Sequence, residues 1–180
     1  KDIINKIKYF IVEQERSAYR ILRSIGFTEK FDDIVFFELN EHTLKEEYKN
    51  YLNPILNGND IGLLSEAGLP CIADPGEVIV KAAHLKDIQV IPLSGESSII
   101  TALISSGLNA ECFAYNGYLP IPDKERNAKI RELEKLSYSL NQTQIFIETP
   151  YRNIKLFKSL IKICKPDTLI SIASNIKCND

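Results

Sequence analysis

Apolar runs of strand length alternate with stretches of helical spacing along this whole chain, and that alternation constrains its fold more than any other feature. Tyr9-Phe10-Ile11-Val12 opens the pattern, and a helix is expected over 17–25. Ile34-Val35-Phe36-Phe37 repeats the strand signal, followed by helical spacing over 43–56 with Pro54 near its end. Further strands are expected over 60–65, 88–92 and 113–118, with helices over 76–86 and 97–106 between them. A long charged helix from Asp123, a strand over 144–148, a helix over 152–164 and a strand over 169–173 complete the series. Strands separated by single helices form right-handed βαβ units, so the fold class is α/β, a largely parallel sheet with helices on its faces.

A chain of 180 residues builds one ordinary domain or two small ones. The Pro and Gly cluster from Pro92 to Gly95, with Gly107 beyond it, marks a hinge. Two α/β domains are therefore expected, over 1–94 and 95–180. A composition of 44% hydrophobic and 26% charged residues fits a soluble globular protein. The formal charge of −2 argues against a strongly basic nucleic-acid binder, so any RNA site is a local patch. The longest apolar runs are far shorter than the roughly 20 residues that span a bilayer, and no membrane association is expected. Cys71, Cys112, Cys164 and Cys178 form no C-x-x-C pair, which argues against a zinc ribbon and a dense disulfide framework. His42 and His84 cannot build a multi-histidine cage, and no metal is expected. With no signal-peptide pattern, a cytoplasmic location is expected. The chain begins at Lys1 and contains no methionine, so a native N-terminus is expected to lie elsewhere.

Four segments carry residues suited to chemistry. Between Ile61 and Gly76 a strand runs into a loop with three glycines and two prolines, ahead of a helix. Such a loop is either a long surface turn capped by Asp74 or Gly76, or a ligand site beyond the C-terminal end of a parallel strand. Pro92 to Ser98 joins a strand to a helix; its serines are N-caps, or their neighbouring amides hold a ligand. This segment is neither a G-x-S-x-G elbow nor a phosphate loop. Thr143 to Arg152 brings Glu148, Tyr151 and Arg152 to a strand end, as a salt bridge with a cap or as substrate-orienting groups. Glu13-Gln14-Glu15-Arg16 follows the first strand, either as a solvated charge cluster or facing the same cleft. The cations Lys124, Arg126, Lys129, Arg131 and Lys135 alternate with acids and read as a solvated amphipathic helix.

In this order the segments resemble the tetrapyrrole methylase superfamily, in its branch of 16S rRNA (cytidine-2′-O)-methyltransferase-like proteins. The matching blocks are Ser65 to Gly76, Ile91 to Ser97, Ser106-Gly107-Leu108, Phe113 to Pro120, and Thr143 to Arg152. Glu66, Leu69, Ala73 and Glu96 depart from the family pattern, and its first strand with a G-x-x-x-P-type loop is not found. The resemblance implies two α/β domains with S-adenosylmethionine (SAM) in the cleft between them, and a homodimer. Its donor contacts fall on Ser65, Gly68, Pro70, Ile72, Ala73 and Asp74, followed by Gly95, Ser97, Ser98, Thr143 and Gln144. Methyl transfer to a ribose hydroxyl calls for a base, expected to be Glu13 or Glu148, with Arg16 or Arg152 on a phosphate. The expected partner is small-subunit rRNA. Methylation of a tetrapyrrole-like small molecule and SAM binding without catalysis are the alternatives.

Overall fold

The computed structural model describes residues 3–176, so Cys178 lies outside the described residues. The chain divides into two compact units, the first ending at Glu96 and the second beginning at Ser97. Both are α/β, with parallel strands.

In the first unit the elements are β1 (Tyr9–Val12), α1 (Glu15–Ser24), β2 (Val35–Glu38), α2 (Lys45–Tyr48), α3 (Asn53–Leu56), β3 (Ile61–Leu63) and α4 (Glu77–His84). The sheet order is β2-β1-β3, parallel throughout, with Phe10 opposite both Phe36 and Gly62. Strand β1 is paired on both edges and packed on both faces, which is why Tyr9 to Val12 reads as a continuous apolar run. Phe10 and Val12 face one cluster with Ala18 and Leu22 of α1 and with Phe27. Ile11 faces the other with Leu39, Leu52, Ile79 and Ala83. Phe10, Ile11 and Leu22 are fully buried, each stabilising the fold by about 1.5–3 kcal/mol.

The expected helix over 43–56 is two short ones. Pro54 stands at the start of α3, where its missing N–H costs nothing, but it cannot continue a helix from upstream. The expected strand over 88–92 is corrected: that segment makes no ladder with any described strand, and Ile91 is exposed.

The second unit holds α5 (Ser98–Ser106), β4 (Phe113–Tyr118), α6 (Asp123–Leu140), β5 (Thr143–Ile147) and α7 (Asn153–Ile163). Strands β4 and β5 pair in parallel around a bulge, where three steps on β4 from Tyr115 to Tyr118 match two on β5 from Ile145 to Ile147. Gly117 supplies the left-handed residue this requires, at φ 62°, and Asn116 holds the kink by donating to Gln144 Oε1 at 3.1 Å. Leu119, Ile130, Leu133, Leu156 and Leu160 form the core between the strands and the α6–α7 pair. The expected strand over 169–173 is also corrected, since its residues pair with no described strand and Leu169 and Ile172 are exposed.

Arg126 overturns the solvated reading of its helix. It is 4% exposed and donates from Nε and Nη2 to Ser159 Oγ at 3.1 Å, from Nη1 to the Ile121 carbonyl at 2.7 Å and from Nη2 to Asp123 at 2.8 Å. The guanidinium thereby ties α6 to α7. Its apolar stem crosses the core edge while its head finds every partner within the fold.

Candidate functional site

In the order β2-β1-β3 the chain leaves β1 toward one side for β2 and returns to the other side for β3. The C-terminal ends of β1 and β3 therefore flank a topological switch point, where open α/β sheets bind ligands. Glu13 follows β1 and Ser65-Glu66 follow β3, so sequence and topology bring both to this place. One Glu13 carboxylate oxygen accepts the Glu66 backbone N–H at 3.0 Å, joining the two strand ends.

The loop from Leu64 to Gly76 is built by local hydrogen bonds. The Ser65 hydroxyl accepts the Ala67 N–H at 3.2 Å and donates to the Ala67 carbonyl at 2.9 Å. Asp74 Oδ1 accepts the amides of Cys71 at 2.9 Å and Gly76 at 2.7 Å, while Oδ2 is buried without a partner among the described residues. Gly76 is required here, because a Cβ would sit 2.9 Å from Asp74 Oδ1. Cys71 and Ala73 both take left-handed backbone, at φ 70° and 63°, which costs of order 1–3 kcal/mol each and marks a loop whose shape is imposed by its surroundings. Gly95 packs against the same loop, its missing Cβ position lying 2.8 Å from Leu69 Cδ2.

These residues border a cleft of about 820 Å³ lined by Glu13, Gln14, Asn40, Glu41, Glu66, Cys71, Ala73, Asp74, Pro75 and Glu77. Five of the ten are carboxylates and none is Lys or Arg, so the cleft attracts cations and repels phosphate. Burial, with Asp74 and Glu77 nearby, pushes the Cys71 thiol up, which keeps it protonated and a poor nucleophile. Among the described residues no group of three or more His, Cys, Asp and Glu is placed to hold a metal ion. No helix of the described residues is long and apolar enough to cross a membrane.

Of the residues singled out in the sequence, Glu13, Ala73 and Asp74 line the cleft, and Ser65, Gly68, Pro70 and Ile72 belong to its loop. Arg16 sits exposed in the first turn of α1 and is not among the lining residues. In the second unit Ser97 caps α5, its hydroxyl accepting the Ile100 N–H at 3.4 Å, and Ser98 is the first helical residue. Thr143 and Gln144 open β5 and bond within their own unit, Thr143 Oγ1 to the Asn109 carbonyl at 2.7 Å and Gln144 Oε1 from Asn116. Glu148 and Arg152 lie beyond the opposite end of that strand and pair with each other at 2.6 Å, the Glu148 side chain 7% exposed. The bulge sets Tyr118 beside them, 5.8 Å from ring centroid to the Arg152 guanidinium. Sequence reasoning missed Asn40 and Glu41. Both follow β2, so the rule already applied to β1 and β3 would have found them.

No protein-family model matches the chain. It is 29% identical over 175 residues to the ribosomal RNA small subunit methyltransferase I of Vibrio cholerae, covering 97% of this chain and 58% of that protein. Identity to the protein of the same name from Buchnera aphidicola is 33% over 142 residues, covering 79% of this chain and 48% of the other. The chain thus spans about half the length of the curated relatives it matches. Among solved structures, the methyltransferase CobJ aligns with a TM-score of 0.50 at 10% identity, over 89% of this chain and 77% of that one, a likeness of fold.

Proposed function

We propose that this chain, a homologue of the proteins named ribosomal RNA small subunit methyltransferase I, carries the methyl-donor site of a SAM-dependent enzyme that methylates a ribose hydroxyl of small-subunit rRNA. The observation that carries this reading is the Glu13-anchored loop at the β1/β3 switch point, which coincides with the first of the matching sequence blocks.

SAM carries a sulfonium and an ammonium, and a cleft with five carboxylates and no basic residue suits both. Ser65, Gly68, Pro70, Ile72, Ala73 and Asp74 would hold the donor, with Gly95 beside them. The family resemblance adds Ser97, Ser98, Thr143 and Gln144 from the second unit, with the two units acting as two domains and the protein as a homodimer. When bound, SAM supplies an electrophilic methyl group that transfers in one displacement, without a metal or a covalent enzyme intermediate.

The protein's part is to align the nucleophile, exclude water and receive a proton. Glu13 is the better placed base, because its second oxygen has no partner among the described residues and the side chain faces the cleft. Glu148 is the alternative base, and it must first leave Arg152. Arg16, exposed and without an ion pair among the described residues, and Arg152 are the candidates for phosphate contact.

The test is transfer of labelled methyl from SAM to small-subunit rRNA purified from a strain lacking the gene. Label on a ribose 2′-oxygen is the expected result. Tight SAM binding with no transfer to rRNA, or label on a small molecule in cell extract instead, would replace this reading.

A further inference from the structure

The near-neutral whole chain hides an asymmetry. The first 96 residues carry 11 Lys and Arg against 16 Asp and Glu, a formal −5, and the rest carry 11 against 8, a formal +3. A cleft lined by five carboxylates is a poor place for an RNA backbone, so the phosphates need another surface.

Helices α6 and α7 supply one. They run side by side in the same direction. Asp123 at the start of α6 meets Lys155 early in α7 at 2.7 Å, and Glu134 further along accepts the Lys165 backbone N–H just past the end of α7 at 2.7 Å. Between their C-terminal ends lies a groove of about 320 Å³ lined by Arg131, Glu134, Lys135, Tyr138, Ser139 and Lys165. Glu134 Oε1 is occupied by the Lys165 amide and by the Thr168 hydroxyl at 2.6 Å. Lys158 and Lys162 are four apart on α7 and share one side of that helix, while Lys165 follows just past its end.

The ion pairs sort these cations into two kinds. Lys129 is held by Glu132 and Lys155 by Asp123, whereas Arg131, Lys135, Lys158 and Lys162 are exposed and pair with no described residue. An unpaired exposed cation can neutralise a phosphate without first breaking an internal bond, and releases counterions when it does. Tyr138 adds a base-stacking platform. The residue is 51% exposed and Lys165 Nζ lies 5.1 Å from the ring centroid.

We propose that this α6–α7 face docks a single-stranded segment of the RNA substrate, its phosphates on Arg131, Lys135, Lys158 and Lys162 and a base on Tyr138. The identity of the RNA rests on the function proposed above; the docking face rests on the unpaired cations and the exposed ring.

The experiment measures binding of the full chain to a single-stranded RNA of about 12 nucleotides across about 50–200 mM KCl. The variant Arg131→Gln/Lys135→Gln/Lys158→Gln/Lys162→Gln is expected to bind at least about tenfold more weakly at low salt. Its log–log salt slope should fall by about 2–3, at roughly 0.7 per phosphate contact on a single strand. Tyr138→Ala is expected to lose about tenfold in affinity with the slope kept, because stacking releases no counterions. Lys81→Gln/Lys86→Gln, on exposed lysines of the first unit, should change neither quantity. Unchanged melting temperatures show that the variants fold. An unchanged slope in the quadruple variant, no RNA binding by the unaltered chain, or displacement of RNA by polyglutamate at equal affinity overturns the docking face. SAM binding and methyl transfer are measured in parallel. Transfer to rRNA with an unaltered slope in the quadruple variant retires the docking face alone, and RNA binding on this face without transfer retires the enzymatic reading alone.

Discussion

Glu13 gives one carboxylate oxygen to the amide of Glu66, 53 residues away in sequence, so its removal acts on the loop as well as on any proton transfer. Two substitutions separate these effects. Glu13→Ala leaves the Glu66 N–H to water and frees the loop, so SAM affinity is expected to fall about tenfold, the equivalent of about 1.4 kcal/mol and in the range of one hydrogen bond to a charged group. Glu13→Gln keeps an acceptor oxygen for Glu66 but can no longer take a proton. It should bind SAM near normally and transfer methyl at least about 100-fold more slowly. Equal rates for Glu13→Gln and the unaltered chain would remove Glu13 from the chemistry and leave it as a loop anchor. Asp74 acts in the loop itself, since one oxygen carries two amides. Asp74→Ala leaves both amides unpaired and is expected to cost about 1–3 kcal/mol, read as a fall in melting temperature of roughly 2–4 °C per kcal/mol. A melting temperature unchanged by Asp74→Ala would mean that the loop keeps its form without that carboxylate.

At the scale of elements, the second unit depends on Arg126 as α6 and α7 depend on each other. Arg126→Ala removes the donor that Ser159, Asp123 and the Ile121 carbonyl share, and a long apolar stem with it. A loss on the order of 2–3 kcal/mol is expected, visible as a lower urea midpoint. Lys155, and after it Arg126, hold the Asp123 carboxyl below its ordinary range. A depressed carboxyl contributes stability that is present above its unfolded pKa and lost as pH falls through its folded one. The α6–α7 contact should therefore weaken on acidification through and below the ordinary aspartate range, and Asp123→Asn should remove that part of the acid sensitivity. The same helix shows where sequence reading stops. Asp123 and Arg126 are three apart among many charges, so by pattern they are one more surface pair. Only the third partner, Ser159 on another helix, makes the arginine a buried clamp. Strand signals failed in a related way. Tyr9 to Val12 finds neighbours on both sides, whereas 88–92 and 169–173 carry similar β-branched residues and find none among the described residues, because a strand is completed by another strand. The loop was legible as a block from Ser65 to Gly76, since its turn residues are local in sequence. Glu13 was legible as a strand-end residue facing the cleft, but its bond to the Glu66 amide was not, and Asn40 and Glu41 were overlooked at the end of β2.

At the scale of the whole molecule, charge is divided between the units in a way that a net −2 averages out. A net −2 excludes a basic nucleic-acid binder only where charge is spread evenly along the chain. On the function proposed above, the acidic cleft of the first unit suits the cationic sulfonium and ammonium, and the basic second unit suits the polyanionic RNA. The two ligands should then respond differently to salt. SAM binding displaces few condensed counterions, so its dissociation constant is expected to change less than about twofold between about 50 and 200 mM KCl. Transfer to rRNA at subsaturating RNA should fall on the order of 10–100-fold over the same range, as three to five neutralised phosphates require at about 0.7 per contact. The two measurements use the same protein and buffer, so a loss of fold at high salt would move both and is thereby excluded as the cause of a difference. Transfer that keeps its rate across this range would place the methyl acceptor among uncharged small molecules, and the positive second unit would then need another explanation than RNA.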